Sequence, residues 1–247
     1  MKTVLVTTTF ASSLDDPRFL QDISTCTEAW MEGFPFICVD GSPDSVGERV
    51  RDRLRMSGAA VFPQRGRGMG ASRRETLRYG LETDAQVIVW LEPEKYPLVA
   101  LLDPCIELVA NGSYDVIVPR RKNLDSYPAY QHWSELRANW ELADIIGQYD
   151  LDLMFGPRVL SRRAAELFAS YVGETPATDQ WEILFIPVLR ALYCGMRVGS
   201  CTVSYIHPPE QTARENGDAA VDRKRDEQRV NLIAAMREEI QKLLHVA

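Results

Sequence analysis

Two carboxylates one residue apart, Glu92 and Glu94, close the apolar run 87–91, with Pro93 between them. A short run rich in β-branched residues that ends in polar ones reads as a buried parallel strand. Acids just past its carboxyl end stand where open α/β sheets bind ligands. Off an extended chain both side chains point the same way, a geometry suited to a hard cation or a nucleotide. The same spacing also suits a solvated pair that opens a loop.

Upstream, Gln64-Arg65-Gly66-Arg67-Gly68-Met69-Gly70-Ala71-Ser72-Arg73-Arg74 leads alternating glycines into a helix expected from about Ala71. Backbone N–H groups at a glycine-rich helix start, with arginines beside them, suit a pyrophosphate. It is not a Walker loop, because no Gly-Lys-Ser/Thr follows. Asp40 ends another strand-like run, where a carboxylate can accept hydrogen bonds from a base or ribose and Gly41 lets the chain turn. An Asp-Gly turn alone reads the same way. Asp179, before an apolar helix, suits a helix cap or a general base, and His207, at a strand end, suits a structural hydrogen bond or a metal.

The elements that must position these groups alternate. Strands are expected over 3–8, 36–39, 59–62, 87–91 and 115–119, with helices over 17–31, 45–56, 71–82 and 97–110. Short right-handed crossovers put such strands in one mainly parallel sheet. The first βα turn, Thr7-Thr8-Thr9-Phe10-Ala11, lacks G-x-G-x-x-G, which argues against a standard NAD site. Helices are expected over 133–146, 160–171 and 181–193, then a strand over 197–206. Val230, Ile233, Met236, Ile240 and Leu243 recur at steps of three and four, an amphipathic stripe that docks on a core or pairs with the same helix of a second copy.

The chain reads as one domain over its 247 residues, with a nucleotide-binding half (1–122), an acceptor-side half (123–210) and a carboxyl-terminal extension (211–247). A net charge of -7 argues against nucleic acid as a partner. The cysteines are odd in number, scattered and without C-x-x-C spacing, so neither zinc nor a disulfide framework is indicated. With no signal-peptide pattern and no membrane-length apolar run, a cytoplasmic location is expected.

Taken in order, these pieces resemble the GT-A nucleotide-sugar glycosyltransferases, in particular family-two-like enzymes such as dolichol-phosphate mannose synthase and, in the later half, mannosylglycerate synthase. Val39-Asp40-Gly41-Ser42-Pro43-Asp44 resembles the family's Asp-Asp-Gly-Ser-x-Asp nucleoside segment, one acid shorter, and Glu92-Pro93-Glu94 stands in the place of Asp-x-Asp. Phe155-Gly156-Pro157-Arg158 and Thr178-Asp179-Gln180-Trp181-Glu182 resemble acceptor-side segments. The resemblance implies an α/β GT-A sheet flanked by helices, with an α+β acceptor side and a carboxyl-terminal helix. It implies transfer of a sugar from a nucleoside-diphosphate sugar to a small or lipid-linked hydroxyl acceptor.

The roles it carries over follow. Thr8, Asp40, Gly41, Gly68, Arg73 and Glu92 would bind the nucleotide, and Glu94 and His207 would hold a divalent Mg or Mn. Asp179, or Glu182 in its place, would act on the acceptor hydroxyl, and Arg120, Arg121 and Arg158 read individually as solvated surface cations that could also read an anionic acceptor. The longer glutamates shift any metal site, and Lys95 beside them can take over part of a cation's charge. Two other readings are a degenerate domain that binds a nucleotide or a protein, and a sugar-phosphate nucleotidyltransferase. The second is disfavoured because its Gly-Arg loop would follow the first strand rather than the third.

Overall fold

Strands whose residues are buried on both faces need cover on both faces, and that requirement organises this chain. The structure is a computed structural model and describes residues 2–174 and 179–246. These residues form a seven-stranded sheet from β1 (Thr3–Thr9), β2 (Phe36–Asp40), β3 (Ala60–Pro63), β4 (Val87–Trp90), β5 (Val116–Arg121), β6 (Arg158–Ser161) and β7 (Val198–Val203). The order is β3-β2-β1-β4-β6-β5-β7. Only β6 runs antiparallel to its neighbours, pairing Trp90 with Arg158 and Ile117 with Val159. The order reverses between β1 and β4, so the carboxyl ends of those two strands flank the crevice in which such sheets bind ligands.

Side-chain alternation divides the core. Val4, Val6, Ile88, Trp90, Val118 and Leu160 face α3 (Met69–Glu82), α6 (Arg162–Ser170), α7 (Ile186–Tyr193) and α9 (Ala219–Val246). Leu5, Val87, Val89, Ile117 and Val159 face α1 (Pro17–Met31), α2 (Asp44–Met56) and α4 (Asp103–Ala110). Helix starts follow local chemistry. Asp16 caps α1 by accepting from the Arg18 N–H at 3.0 Å with Pro17 at the first position, and Ser161 caps α6 by accepting from the Ala164 N–H at 3.2 Å.

Four boundaries differ from expectation. Leu160 was expected to open a helix but lies in β6, a strand of four residues and so too short to display a period of two. The helix expected over 97–110 is a 3-10 helix, Pro93–Leu101, followed by α4, because Pro97 and Pro104 each remove an N–H donor. The helix expected over 181–193 is likewise a 3-10 turn, Glu182–Leu184, and then α7 with Pro187 near its start. The charged stretch after His207 is also helical: α8 spans Pro209–Glu215 and α9 begins at Ala219.

The carboxyl-terminal stripe is buried within this chain. Met236 is 0% exposed, Ile233 and Ile240 are buried and Leu243 packs on the same core, beside α7 and α5 (Ala129–Ile146). Of the expected stripe, Val230 stays outside at 66% exposure, so a helix pair between copies would have to use other residues. No helix among the described residues is long and apolar enough to cross a membrane.

Candidate active site

The carboxyl end of the sheet gathers most of the residues singled out from sequence. Asp40, at the end of β2, is buried and fixed by its own chain. Its Oδ1 accepts from Ser42 Oγ at 2.6 Å, Ser42 N at 3.2 Å and Thr9 Oγ1 at 3.2 Å, and Oδ2 accepts from Arg51 Nη1 at 3.2 Å. Thr8 is half-buried beside it, paired in register with Val39. The Gly41 N–H donates to the Thr9 carbonyl at 3.0 Å, and a methyl group at Gly41 would collide with the Gln64 side chain.

Gln64 then shapes the glycine segment: its Nε2 donates to the carbonyls of Gly66 at 2.7 Å and Gly68 at 3.0 Å. Gly68 has φ +88°, which suits glycine, and α3 starts immediately after it. The loop amides are not left open. Glu75 accepts from the N–H groups of Arg65 at 2.9 Å and Gly66 at 2.5 Å, and the Gly70 N–H donates to the Asp179 carbonyl at 3.0 Å. The donors that were expected to cradle a pyrophosphate at Arg65, Gly66 and Gly70 are therefore bonded within the chain.

The acid pair departs from the extended geometry expected of it. Glu92 is extended, but Pro93 starts the 3-10 helix, which puts Glu94 in a first helical turn. Both still border a cavity of about 130 Å³, together with Lys95, Glu135, Gly156 and Trp181. The Glu92 carboxylate lies so close to Gly156 that a Cβ there would overlap it. Burial pushes the Glu92 carboxyl up, Glu94 adds to the rise, and Lys95, Arg73 and Arg158 oppose it. Lys95 Nζ is 3.8 Å from Glu94 Oε1, with the Tyr127 and Phe155 rings at 5.8 and 6.0 Å. Burial works against the ammonium charge, and the acidic groups around it outweigh that cost, which raises the Lys95 pKa above its ordinary value. On α1, Asp22 is a further buried acid within electrostatic reach of Glu94; burial raises its carboxyl well above the ordinary range.

Arg73 enters from α3. Its guanidinium lies 4.4 Å from the Trp181 ring centroid and 5.4 Å from that of Trp90, and Nη1 donates to the Gln180 carbonyl at 2.9 Å. Its buried Nε has no protein partner. Burial brings its pKa down to about 10, against the pull of Glu92, Glu94 and Glu182. Asp179 meets Arg74 in a two-pronged ion pair, Nη2 to Oδ2 at 2.7 Å and Nη1 to Oδ1, and also accepts from the Gly173 N–H at 3.2 Å. Arg74 holds the Asp179 carboxyl below the usual range. Glu182 is buried and accepts from the Gln180 N–H at 3.0 Å. Thr178 lies outside the described residues.

His207 is buried and stacked on Tyr127 at a centroid distance of 4.1 Å. Its Nδ1 is 3.5 Å from the Tyr205 hydroxyl and its Nε2 is 3.4 Å from Glu215 Oε2, out of line for a hydrogen bond. Burial lowers the His207 pKa. Burial alone would raise Glu215, but His207, Arg225 and Gln211 bring its carboxyl down to about 2. Among the described residues no three His, Cys, Asp or Glu side chains gather as a metal cage, and Glu94 and His207 are not joined into one.

The arginines expected to read an acceptor divide. Arg120 is exposed. Arg121 is buried, clamped by Asp152 at 2.7 and 2.8 Å and by Glu135 at 2.6 Å, and Arg158, 0% exposed, donates to the carbonyls of Leu184, Pro157 and Leu153 at 3.1, 2.8 and 2.9 Å. Sequence reading missed the basic groups that do reach the cavity, Arg225 and Arg229 of α9. The signal was present in the i, i+4 spacing of the two arginines, one turn apart on one face.

No family model matches this chain, and no curated protein sequence does. Solved structures do. Glucosyl-3-phosphoglycerate synthase from Mycobacterium tuberculosis, solved with Mn²⁺, UDP and phosphoglyceric acid, superposes with a TM-score of 0.58 at 13% identity, over 96% of this chain and 78% of that one. The same enzyme with Mn²⁺, UDP-glucose and phosphoglyceric acid gives 0.56 at 15% identity over 96% and 79%. A further mycobacterial protein gives 0.57 at 13% identity over 96% and 74%. This chain has the GT-A fold, with its helix-flanked mixed sheet and carboxyl-terminal helix.

Proposed function

We propose that this chain is a nucleotide-sugar glycosyltransferase that moves a sugar from a nucleoside diphosphate to a hydroxyl of a small anionic acceptor. The observation that carries the reading is the convergence of Glu92, Glu94, Lys95 and Trp181 on one cavity just past the carboxyl end of β4 in a GT-A sheet. Arg73 stacks on that Trp181, its guanidinium 4.4 Å from the ring centroid. Solved neighbours of this fold hold UDP, UDP-glucose and phosphoglyceric acid, which supports a uridine nucleotide and a phosphorylated acid as first substrates to test.

In this reading Thr8, Asp40 and Gly41 form the nucleoside side, with Gln64 and Gly68 shaping its wall. Glu92 faces the ribose. Arg225 and Arg229 supply positive charge for the acceptor from α9. As the bond from the sugar's anomeric carbon to the diphosphate oxygen breaks, its electron pair stays on the diphosphate. The acceptor oxygen bonds to that carbon and releases its proton. Asp179 is neutralised by Arg74, so the acceptor proton falls to Glu182. A location in the cytoplasm belongs to the same reading.

The neighbours were solved with Mn²⁺ or Mg²⁺. A divalent ion of that class takes about six oxygen or nitrogen ligands with demanding geometry. Here no three His, Cys, Asp or Glu side chains gather as a cage among the described residues, Glu94 has an ammonium 3.8 Å away, and burial raises the Asp22 carboxyl. This donor set does not fit such an ion.

The test is release of nucleoside diphosphate from UDP-glucose and a panel of other sugar nucleotides, with and without 3-phosphoglycerate. Acceptor-dependent release with a new glycoside in the products supports the reading. No release from any donor with any phosphorylated acid contradicts it.

A further inference from the structure

We infer that Lys95 supplies, within the chain, the positive charge against which the donor diphosphate departs, in place of a divalent ion. The inference rests on the transferase reading above. Glu94 and Lys95 follow one another at the mouth of the crevice, and the 3-10 helix is interrupted at Lys95, whose φ of -95° and ψ of 25° leave the helical region. Its N–H still donates to the Glu92 carbonyl at 2.8 Å, which ties the residue to the first acid of the pair. The side chain is buried, with Nζ 5.8 and 6.0 Å from the ring centroids of Tyr127 and Phe155, and Lys95 lines the same cavity as Glu92 and Glu94.

The surroundings hold that charge in one place. Glu94 Oε1 lies 3.8 Å from Nζ on one side, and His207 stacks on the far ring, Tyr127, with its Nε2 3.4 Å from Glu215 Oε2 and not hydrogen-bonded to it. The two side chains expected to ligate a metal therefore flank a resident cation. A divalent ion entering beside Glu94 would meet the ammonium at close range and be repelled in a site of low dielectric. Lysine needs no ligand cage, since its three N–H donors can meet phosphate oxygens directly. When the electron pair of the broken bond passes to the diphosphate oxygen, the ammonium offsets it and transfers no proton.

The experiment measures UDP and uridine binding by calorimetry to the wild type, Lys95→Met and Lys95→Arg, each in EDTA and in Mn²⁺. The wild type should bind UDP equally well, within about twofold, in both buffers. Lys95→Met should weaken UDP by about tenfold to a hundredfold, the span of one charge-assisted hydrogen bond, and leave uridine unchanged. Lys95→Arg should keep UDP binding in EDTA. UDP binding that EDTA abolishes and Mn²⁺ restores overturns the inference, as does a Lys95→Met protein that binds UDP like the wild type. Should Lys95→Met not fold, the wild type and Lys95→Arg in EDTA decide alone. Failure of the wild type to bind UDP, GDP or ADP in either buffer removes the transferase reading, and this inference with it.

Discussion

The pair Arg74–Asp179 separates two roles for an acid that sequence reading made a candidate base. Its side chains are only 10% and 16% exposed, and the bond is two-pronged, so truncating Asp179 leaves a nearly buried guanidinium without its counter-charge. Breaking such a buried pair costs about 3–5 kcal/mol, and the residual exposure puts this one at the low end, about 3 kcal/mol or about 6–12 °C in Tm. Urea unfolding of Asp179→Ala, Arg74→Met and the double variant at neutral pH should give a coupling of about 2 kcal/mol. The pH dependence has a definite sign. Because Arg74 depresses the folded carboxyl below its ordinary 3.8, the contribution is present above that value and is lost as pH falls through the lower folded one. The wild type and Asp179→Ala should therefore differ fully near neutrality and converge in strong acid. A coupling below about 0.5 kcal/mol, or a variant of unchanged stability that has lost turnover alone, would refute the clamp and restore Asp179 as the base.

Gly156→Ala should destabilise by about 1–3 kcal/mol in chemical denaturation, because its methyl would enter the space of the Glu92 carboxylate, and Glu92→Ala in the same chain should recover most of the loss. Met236→Ala should cost about 2–5 kcal/mol while Val230→Ala stays within about 0.5 kcal/mol, since one is buried in the core and the other lies on the surface. Equal losses for both would mean that α9 docks through another face. Arg225→Ala should raise KM for a phosphorylated acceptor with little change in KM for the sugar nucleotide, and initial-rate kinetics with each substrate varied would distinguish the two.

The frame was legible because burial on both faces leaves β-branched runs such as 87–89 and 116–118 little choice but a parallel sheet, and their order set the architecture. β6 was not legible: it has four residues and is held by partners on β4 and β5 rather than by its own pattern. At the site, the acids and the glycine segment stood out by type and spacing. Their partners did not, because Glu75 reaching back to Arg65 and Gly66, or Arg74 reaching Asp179, are contacts made by the fold. His207 shows the same limit. Its place after a strand suggested a ligand, while Glu215, which faces it, lies on a helix that the charged composition of that stretch concealed. Arg158 reads as a surface cation in sequence and is instead a buried donor to backbone carbonyls, a role decided by β6.

Hydrogen–deuterium exchange with and without UDP tests the central claim, that a sugar nucleotide binds at the carboxyl ends of β1 and β4. Slowed exchange is expected in 91–95 and 154–156, with the 39–42 turn protected beside them and the surface groove between α5 and α9, lined by Trp133, Arg137 and Arg237, unchanged. Protection confined to the α5 and α9 surface, or none at saturating nucleotide, would contradict it.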